Sequence, residues 1–449
     1  MVTTTMDILG KALRMLKDKP LCDSCLGRQF AFLGYRMENR DRGKAIKDLL
    51  AMEGHRLALQ RDSEGLRILR ILAENGGSSI ASEILRKLGQ AVGERRRCFL
   101  CEGLFEDLSS LVDKAVKLLS EYEYDTFLVG IRIPVEIEER EDEFRAKYEI
   151  EHGESMRNEL SRVIGKMIRE ITGKKADYMK PEIVILINPF TEEVEIQSNS
   201  LYIMGRYRKL VRGIPQSKWL CGRCRGRGCP LCNWTGKKYP ESVEELIANP
   251  ILEMTLGEDS SFHGAGREDI DARMLGSGRP FIIEIKRPKR RKLDLSEVER
   301  VINERARGKI EVSDLKFVDR RAVVKIKDME ATQKIYRVIV EFEREIGDDE
   351  IERLRELLTD ITVHQRTPRR VLHRRADLIR EKHIYETNIK RISPNRIEMI
   401  IRCQGGLYVK ELVTGDEGRT DPSVSKIIGA EARPLELDVL EVLDKTEEK

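Results

Sequence analysis

Eight of the nine cysteines in this 449-residue chain fall in CxxC pairs: Cys22/Cys25, Cys98/Cys101, Cys221/Cys224 and Cys229/Cys232. Only Cys403 stands alone. A CxxC turn presents two thiolates, half of a tetrahedral metal site, so the fold is expected to bring these pairs together two by two. In WLCGRCRGRGCPLCNWTGKKY two knuckles follow each other closely enough to supply four ligands from one short segment, and the glycines permit the tight turns. The pairs at 22 and 98 are distant in sequence. Joined around one ion, they would staple the N-terminal region. One or two structural zinc ions are therefore expected, although iron fits the same ligands. A four-thiolate site is closed, with no open position for catalysis by the metal.

The metal reading presumes a reducing compartment, and the rest of the chain agrees with one. No apolar run approaches the roughly 20 residues of a membrane span. The start, MVTTTMDILGKALRMLKDK, reads as a capped amphipathic helix without a secretory apolar segment. A cytoplasmic monomer with no membrane partner is expected. Charged residues make up 36% of the chain, yet net charge is only +4, so local patches must decide whether it meets nucleic acid. Three stand out: KRPKRRK at Lys286–Lys292, QRTPRRVLHRRADLIREK from Gln365, and GRYRKLVRG at Gly205–Gly213. Each alone fits a solvated surface. Together, beside zinc knuckles, they point to RNA.

Hydrophobic periodicity divides the chain. Residues 1–115 carry helix-period patterns between glycine stops. Residues 116–216 read as a compact α/β module: TFLVGIRIPVEIE as a strand, EHGESMRNELSRVIGKMIREITG as a helix ending at Gly173, and EIVILINPFTEEVEIQ as two strands joined through Asn188-Pro189. Residues 217–240 form the cysteine-rich insert. Residues 241–449 mix strands (RPFIIEIK, AVVKIKDM, NRIEMIIRC) with helices (SEVERVINERARG, DDEIERLRELLTD), implying an α+β domain around a mixed or antiparallel sheet.

One loop carries candidate chemistry. HGAGREDIDARMLGSGRPF sets acids among arginines and glycines before an apolar strand. Alone it reads first as a turn with weak ion pairs, and second as a loop in which Arg267 and Arg273 hold Asp269 ionised for nucleophilic work. GREDIDAR, however, resembles the first motif of pseudouridine synthases, whose shared aspartate falls at Asp269. HRRADLIREKHIY resembles the basic segment ending in the active-site tyrosine, here Tyr385. GGLYVKELVTGDEGRT resembles the segment in which a tyrosine and a basic residue meet the aspartate, here Tyr408 and Lys410. With the N-terminal CxxC region, a THUMP-like module and the WxCxxCxGxGCxxC knuckle, the chain resembles the Pus-ten family of tRNA pseudouridine synthases, archaeal type, nearly end to end.

That resemblance implies isomerisation of uridines fifty-four and fifty-five in the tRNA T-loop, without an organic cofactor. Asp269 would attack ribose or uracil, Lys410 would hold it ionised, Tyr385 would stack on the flipped uracil, and Tyr408 would line the pocket. Arg267 would fill the space of the extruded base or grip its phosphate, while Asp271 and Arg273 would shape the loop. The partner would be tRNA, held at the T-arm and acceptor stem. The alternative is a non-catalytic zinc-containing tRNA-binding protein of the same fold. A methyltransferase or thiouridine synthase would need a Gly-rich nucleotide loop opening an apolar helix, which is not present, and a zinc deaminase an HxE signature within a three-ligand site, which the paired CxxC ligands do not form.

Overall fold

The computed structural model describes residues 7–443, Arg374 excepted, and of Glu330 the backbone alone. The chain divides into two compact units, residues 1–199 and 200–449.

In the first unit, helices Ile8–Asp18, Asn39–Leu59, Ser63–Glu74 and Ser79–Lys87 lead to Ser109–Leu119. Asp7, Asp62 and Ser78 cap three of them by accepting backbone N–H bonds, as expected of these residue types. The short helix Asp23–Gly27, which carries the first CxxC pair, crosses Asn39–Leu59 so closely that a Cβ on Gly27 would lie 1.8 Å from the Asn39 carbonyl oxygen, and one on Gly43 1.9 Å from that of Asp23. Glycine is required at both positions.

A four-stranded sheet follows: β1 (Thr126–Ile131), β2 (Lys175–Ala176), β3 (Ile183–Asn188) and β4 (Glu193–Ser198), in the order β2-β1-β3-β4. Helix Met156–Thr172 ends at Gly173 in a left-handed conformation, as its sequence predicts. The predicted strand TFLVGIRIPVEIE is shorter than expected. Pro134 stops it, and VEIE begins helix Val135–Lys147, whose acidic first turn suits a helix N-terminus. The change of texture near residue 115 is not a packing boundary, because a single apolar core runs from Ala12 through Val112 to Ile187.

The second unit is built on ten strands: β5 (Leu201–Lys209), β6 (Asp259–Gly264), β7 (Ala272–Lys286), β8 (Ile310–Val318), β9 (Lys334–Phe342), β10 (Ile361–Arg366), β11 (Ile379–Ser393), β12 (Arg396–Cys403), β13 (Thr420–Asp421) and β14 (Ala432–Val442). Their order is β13-β10-β11-β12-β9-β14-β7-β5-β8, with β6 beside β7. All pairings are antiparallel except β14 with β7. This is the mixed sheet expected for residues 241–449, but it begins earlier. Leu201–Lys209, placed by sequence in the α/β module, runs between β7 and β8. AVVKIKDM forms a helix, Arg321–Asp328, rather than a strand; only Ile326 of it is buried, so the apolar alternation never had a sheet face to fill. Two apolar clusters flank the β7–β14 pair. Ala272 and Leu437 belong to one, Met274 and Val439 to the other. The loop carrying Asp269 opens onto this seam.

Among the described residues no helix is long and apolar enough to cross a membrane.

Candidate active site

The residues just before β7 lie on a buried polar platform. Glu268 is fully enclosed. It receives 2.9 Å from the Arg279 guanidinium and 2.8 Å from the Tyr207 hydroxyl. Gln216 donates to the Tyr207 hydroxyl at 2.8 Å and to the Gly266 carbonyl at 2.9 Å. Lys209, also enclosed, donates to the carbonyls of Ile214, Asp269 and Ile270 at 2.9, 3.1 and 3.2 Å. A buried cation is retained only when partnered, and here its partners are the backbone of the candidate loop. The loop is therefore clamped from beneath while Asp269 faces outward.

Asp269 meets two cations. Arg370 Nη1 lies 3.3 Å from Oδ1 and Lys410 Nζ 3.2 Å from Oδ2. Burial opposes ionisation of Asp269, but Arg370 and then Lys410 outweigh it, holding its carboxyl below the usual range. Asp271, two residues on, also binds Lys410, at 2.7 Å. Their exposures separate them: the Asp269 side chain is 34% exposed and that of Asp271 67%. The two arginines expected to hold Asp269 act elsewhere. Arg273 forks onto the enclosed Asp438 at 2.8 and 3.0 Å, beside Arg212 and Arg337. Arg267 lies over the Trp219 ring, 5.1 Å from its centroid.

Lys410 sits in the first turn of helix Val409–Thr414, where a lone cation is unfavourable. The two aspartates offset this. Buried Gln365 fixes the turn by donating to the Tyr408 carbonyl at 3.0 Å and accepting from the Tyr408 N–H at 2.8 Å. Arg370 is likewise braced, 2.7 Å from Glu411.

These groups line a cavity of about 370 Å³ with Trp219, Arg267, Tyr336, Arg375, Tyr408 and Lys410 in its wall. That volume lies within the range of small-molecule sites, about 300–1,000 Å³. The Tyr408 hydroxyl accepts from Arg375 at 2.9 Å. Tyr385 is not part of this wall. It lies where the β11–β12 register slips between Ile384 and Glu386, edge-on to His383 at 4.7 Å and 5.8 Å from the Arg402 guanidinium. Tyr336, on β9, is the tyrosine that joins Asp269 and Tyr408. Desolvation pushes its hydroxyl up, Cys403 adds to the shift, and Arg279 opposes it. Sequence reasoning missed Tyr336, Arg370 and Arg375. KIYRVIVEF reads as an ordinary core strand, and the two arginines were merged into a basic run.

GRYRKLVRG is only partly exposed. Tyr207 and Lys209 form the platform, Arg212 binds Asp438, and Arg208 pairs with Glu311.

Both cysteine clusters assemble as their spacing predicts. Within each, the four Sγ atoms lie within 4.8 Å of one another. Resolved separations are 3.6 Å for Cys22–Cys101, 3.9 Å for Cys221–Cys229 and 3.8 Å for Cys224–Cys232. A tetrahedral zinc with bonds of about 2.3 Å needs sulfur atoms about 3.8 Å apart, so both sets fit a metal ion.

Comparison with known proteins agrees with this arrangement. The family described as "Pus10, C-terminal" matches residues 202–443, and "Pus10 THUMP domain, archaeal" matches residues 111–188. The tRNA pseudouridine synthase Pus10 of Methanocaldococcus jannaschii is 47% identical over 96% of this chain and 93% of its own length; that of Methanothrix thermoacetophila is 44% identical over 97% and 94%. A crystal structure of a Cbf5-Nop10-Gar1 complex aligns over 53% of this chain and 48% of its own at 13% identity, with a TM-score of 0.30, too low to carry weight. Near-full-length identity and two matching domain descriptions place it plainly: it belongs to the Pus10 family.

Proposed function

We propose that this chain converts uridine to pseudouridine in tRNA, with the T-loop uridines fifty-four and fifty-five as targets and Asp269 as nucleophile. The observation that carries the reading is one ionised carboxylate, braced by Arg370 and Lys410, facing a cavity walled by Tyr336 and Tyr408. The reaction breaks the bond from ribose C1′ to uracil N1 and forms one from C1′ to C5. The C5 proton is lost and N1 gains one, so no atom is added and no oxidant is needed. Asp269 attacks either C1′ or the uracil ring, and the detached base turns within the pocket. Tyr336 stacks on the uracil in place of Tyr385, and its hydroxyl, pushed up by desolvation, stays neutral. Arg267 and Arg375 at the rim suit a phosphate or the space left by the extruded base. The unit matching the THUMP description holds the acceptor stem. Zinc fills both four-cysteine sets; when bound it fixes those turns, and it has no open position for chemistry.

The test uses unmodified tRNA with wild type, Asp269→Ala, Tyr336→Leu and Tyr385→Leu, mapping pseudouridine by carbodiimide primer extension. Conversion by wild type and none by Asp269→Ala is expected, with Tyr336→Leu, which loses the stacking ring, impaired more than Tyr385→Leu. Activity in Asp269→Ala removes the nucleophile. Binding without conversion by wild type turns the chain into a tRNA-binding protein.

A further inference from the structure

Both tryptophans of the chain, Trp219 and Trp234, lie in the cysteine-rich insert. Trp219 lines the Asp269 cavity. Trp234 does not, and its placement is unusual. The two knuckles are near copies in their backbone. After Cys224 the chain turns through Arg225 and Gly226 at φ of 50° and 96°; after Cys232 it turns through Asn233 and Trp234 at φ of 50° and 62°. Glycine takes the second left-handed position without strain, as Gly226 does. A bulky residue does so at a cost of order 1 kcal/mol. Packing does not repay that cost, because Trp234 is 72% exposed, beside Leu231 at 71%.

The surrounding charge points to the occupant. From Ser217 to Pro240 there are six basic residues and no acid, in a chain whose totals are nearly balanced at 82 and 78. Lys237 is held by Glu245, and Lys238 lies over Trp219. Arg223 and Arg225 are exposed and pair with no described acid. An exposed aromatic flanked by unpaired arginines suits one ligand above others: an unstacked base with its phosphates.

We infer that the cysteine-rich insert is a nucleotide-gripping arm of the active site, in which Trp234 of the second knuckle stacks on an unpaired base of the RNA substrate and Arg223 and Arg225 of the first bind phosphates. This rests on the RNA reading above. Trp219, in the same insert, lines the cavity, and its ring carries Arg267. Extruding the target uridine leaves its neighbours unstacked, and Trp234 offers one of them a new partner.

The test measures binding and turnover of the full-length, metal-loaded protein with tRNA, with an isolated T-arm hairpin, and with a loop-free RNA duplex. Trp234→Ala, with metal content unchanged, raises the Kd and KM for tRNA and hairpin by about fivefold or more. Its kcat at saturating tRNA stays within about twofold, Trp234→Phe recovers most of the loss, and duplex binding is unmoved. Replacing Arg223 and Arg225 with alanine lowers the slope of log affinity against log salt by about 1–2. Unchanged Kd in Trp234→Ala together with an unchanged salt slope in the arginine double variant overturns the arm. Wild type that neither binds nor converts any of these RNAs overturns the RNA reading, and the arm with it.

Discussion

The two four-cysteine clusters use the same ligands for opposite ends. The N-terminal set is embedded in protein. Cys25, Cys98 and Cys101 belong to the apolar core of their unit, among Leu26, Leu100 and Phe30. Its surroundings extend into charge: Arg28, fully buried, donates to Cys25 Sγ at 2.9 Å and to Glu141 at 2.8 Å, and lies 3.6 Å from Glu159. The knuckle at 221–232 joins no apolar cluster among the described residues, and Leu231 and Trp234 point to solvent. Four thiolates fix a local turn wherever they occur. What that turn supports depends on whether the neighbours are core or water.

Breaking the buried set gives the largest effect. Cys101→Ser removes one of four thiolates from a set that fits a metal ion, and metal held there would also be folding energy. Losing even about 4 kcal/mol lowers the melting midpoint of a unit of this size by about 8–16 °C, read by calorimetry. The matching change in the knuckle, Cys229→Ser, is expected to release its metal, weaken tRNA binding, and leave the main midpoints within about 3 °C, because no core rests on it. Equal losses of midpoint in the two variants dissolve the contrast.

The smallest effect is a pH dependence confined to the buried side. Desolvation raises Glu159 to about 7 from 4.5, with Arg28 opposing. The folded state therefore keeps a proton that the unfolded chain has lost between those values. The associated stability is full below pH 4.5 and is lost as pH rises through 7. Glu159→Gln should flatten the fall in urea midpoint between pH 5 and pH 8, a difference of roughly 1–3 kcal/mol. An unchanged slope shows that Glu159 titrates as an ordinary surface acid.

Legibility in the sequence followed the range of each interaction. CxxC pairs, helix caps and the stop at Gly173 are local rules, and they read correctly. Asp269, Tyr408 and Lys410 were reachable through their motifs and do meet. Tyr336 was not, because it stands on β9 with nothing beside it to mark an outward-facing tyrosine from a core one. Tyr385 misled because it ends a basic run, yet the register slip at Ile384–Glu386 sits it outside the cavity. Lys209 and Arg212 misled for a different reason. Composition records their charge, but neither the burial of Lys209 nor the enclosed Asp438 that holds Arg212.

The sequence by itself determined the CxxC pairs, the caps and the nucleophile candidate, since each depends on residue types a few positions apart; folding joined the pairs at 22 and 98. Tertiary structure alone added Arg370 to Lys410, the partner that the motif resemblance implied for Asp269. Arg370 reaches it across 101 positions of sequence and Lys410 across 141, through a sheet whose only parallel pair brings β7 beside β14. It also decided that one basic run sends Lys209 beneath the candidate loop and that another forms part of the pocket wall. A side chain's charge is written in its chemistry, but its pKa, its partner and its use depend on the solvent and neighbours that folding leaves around it.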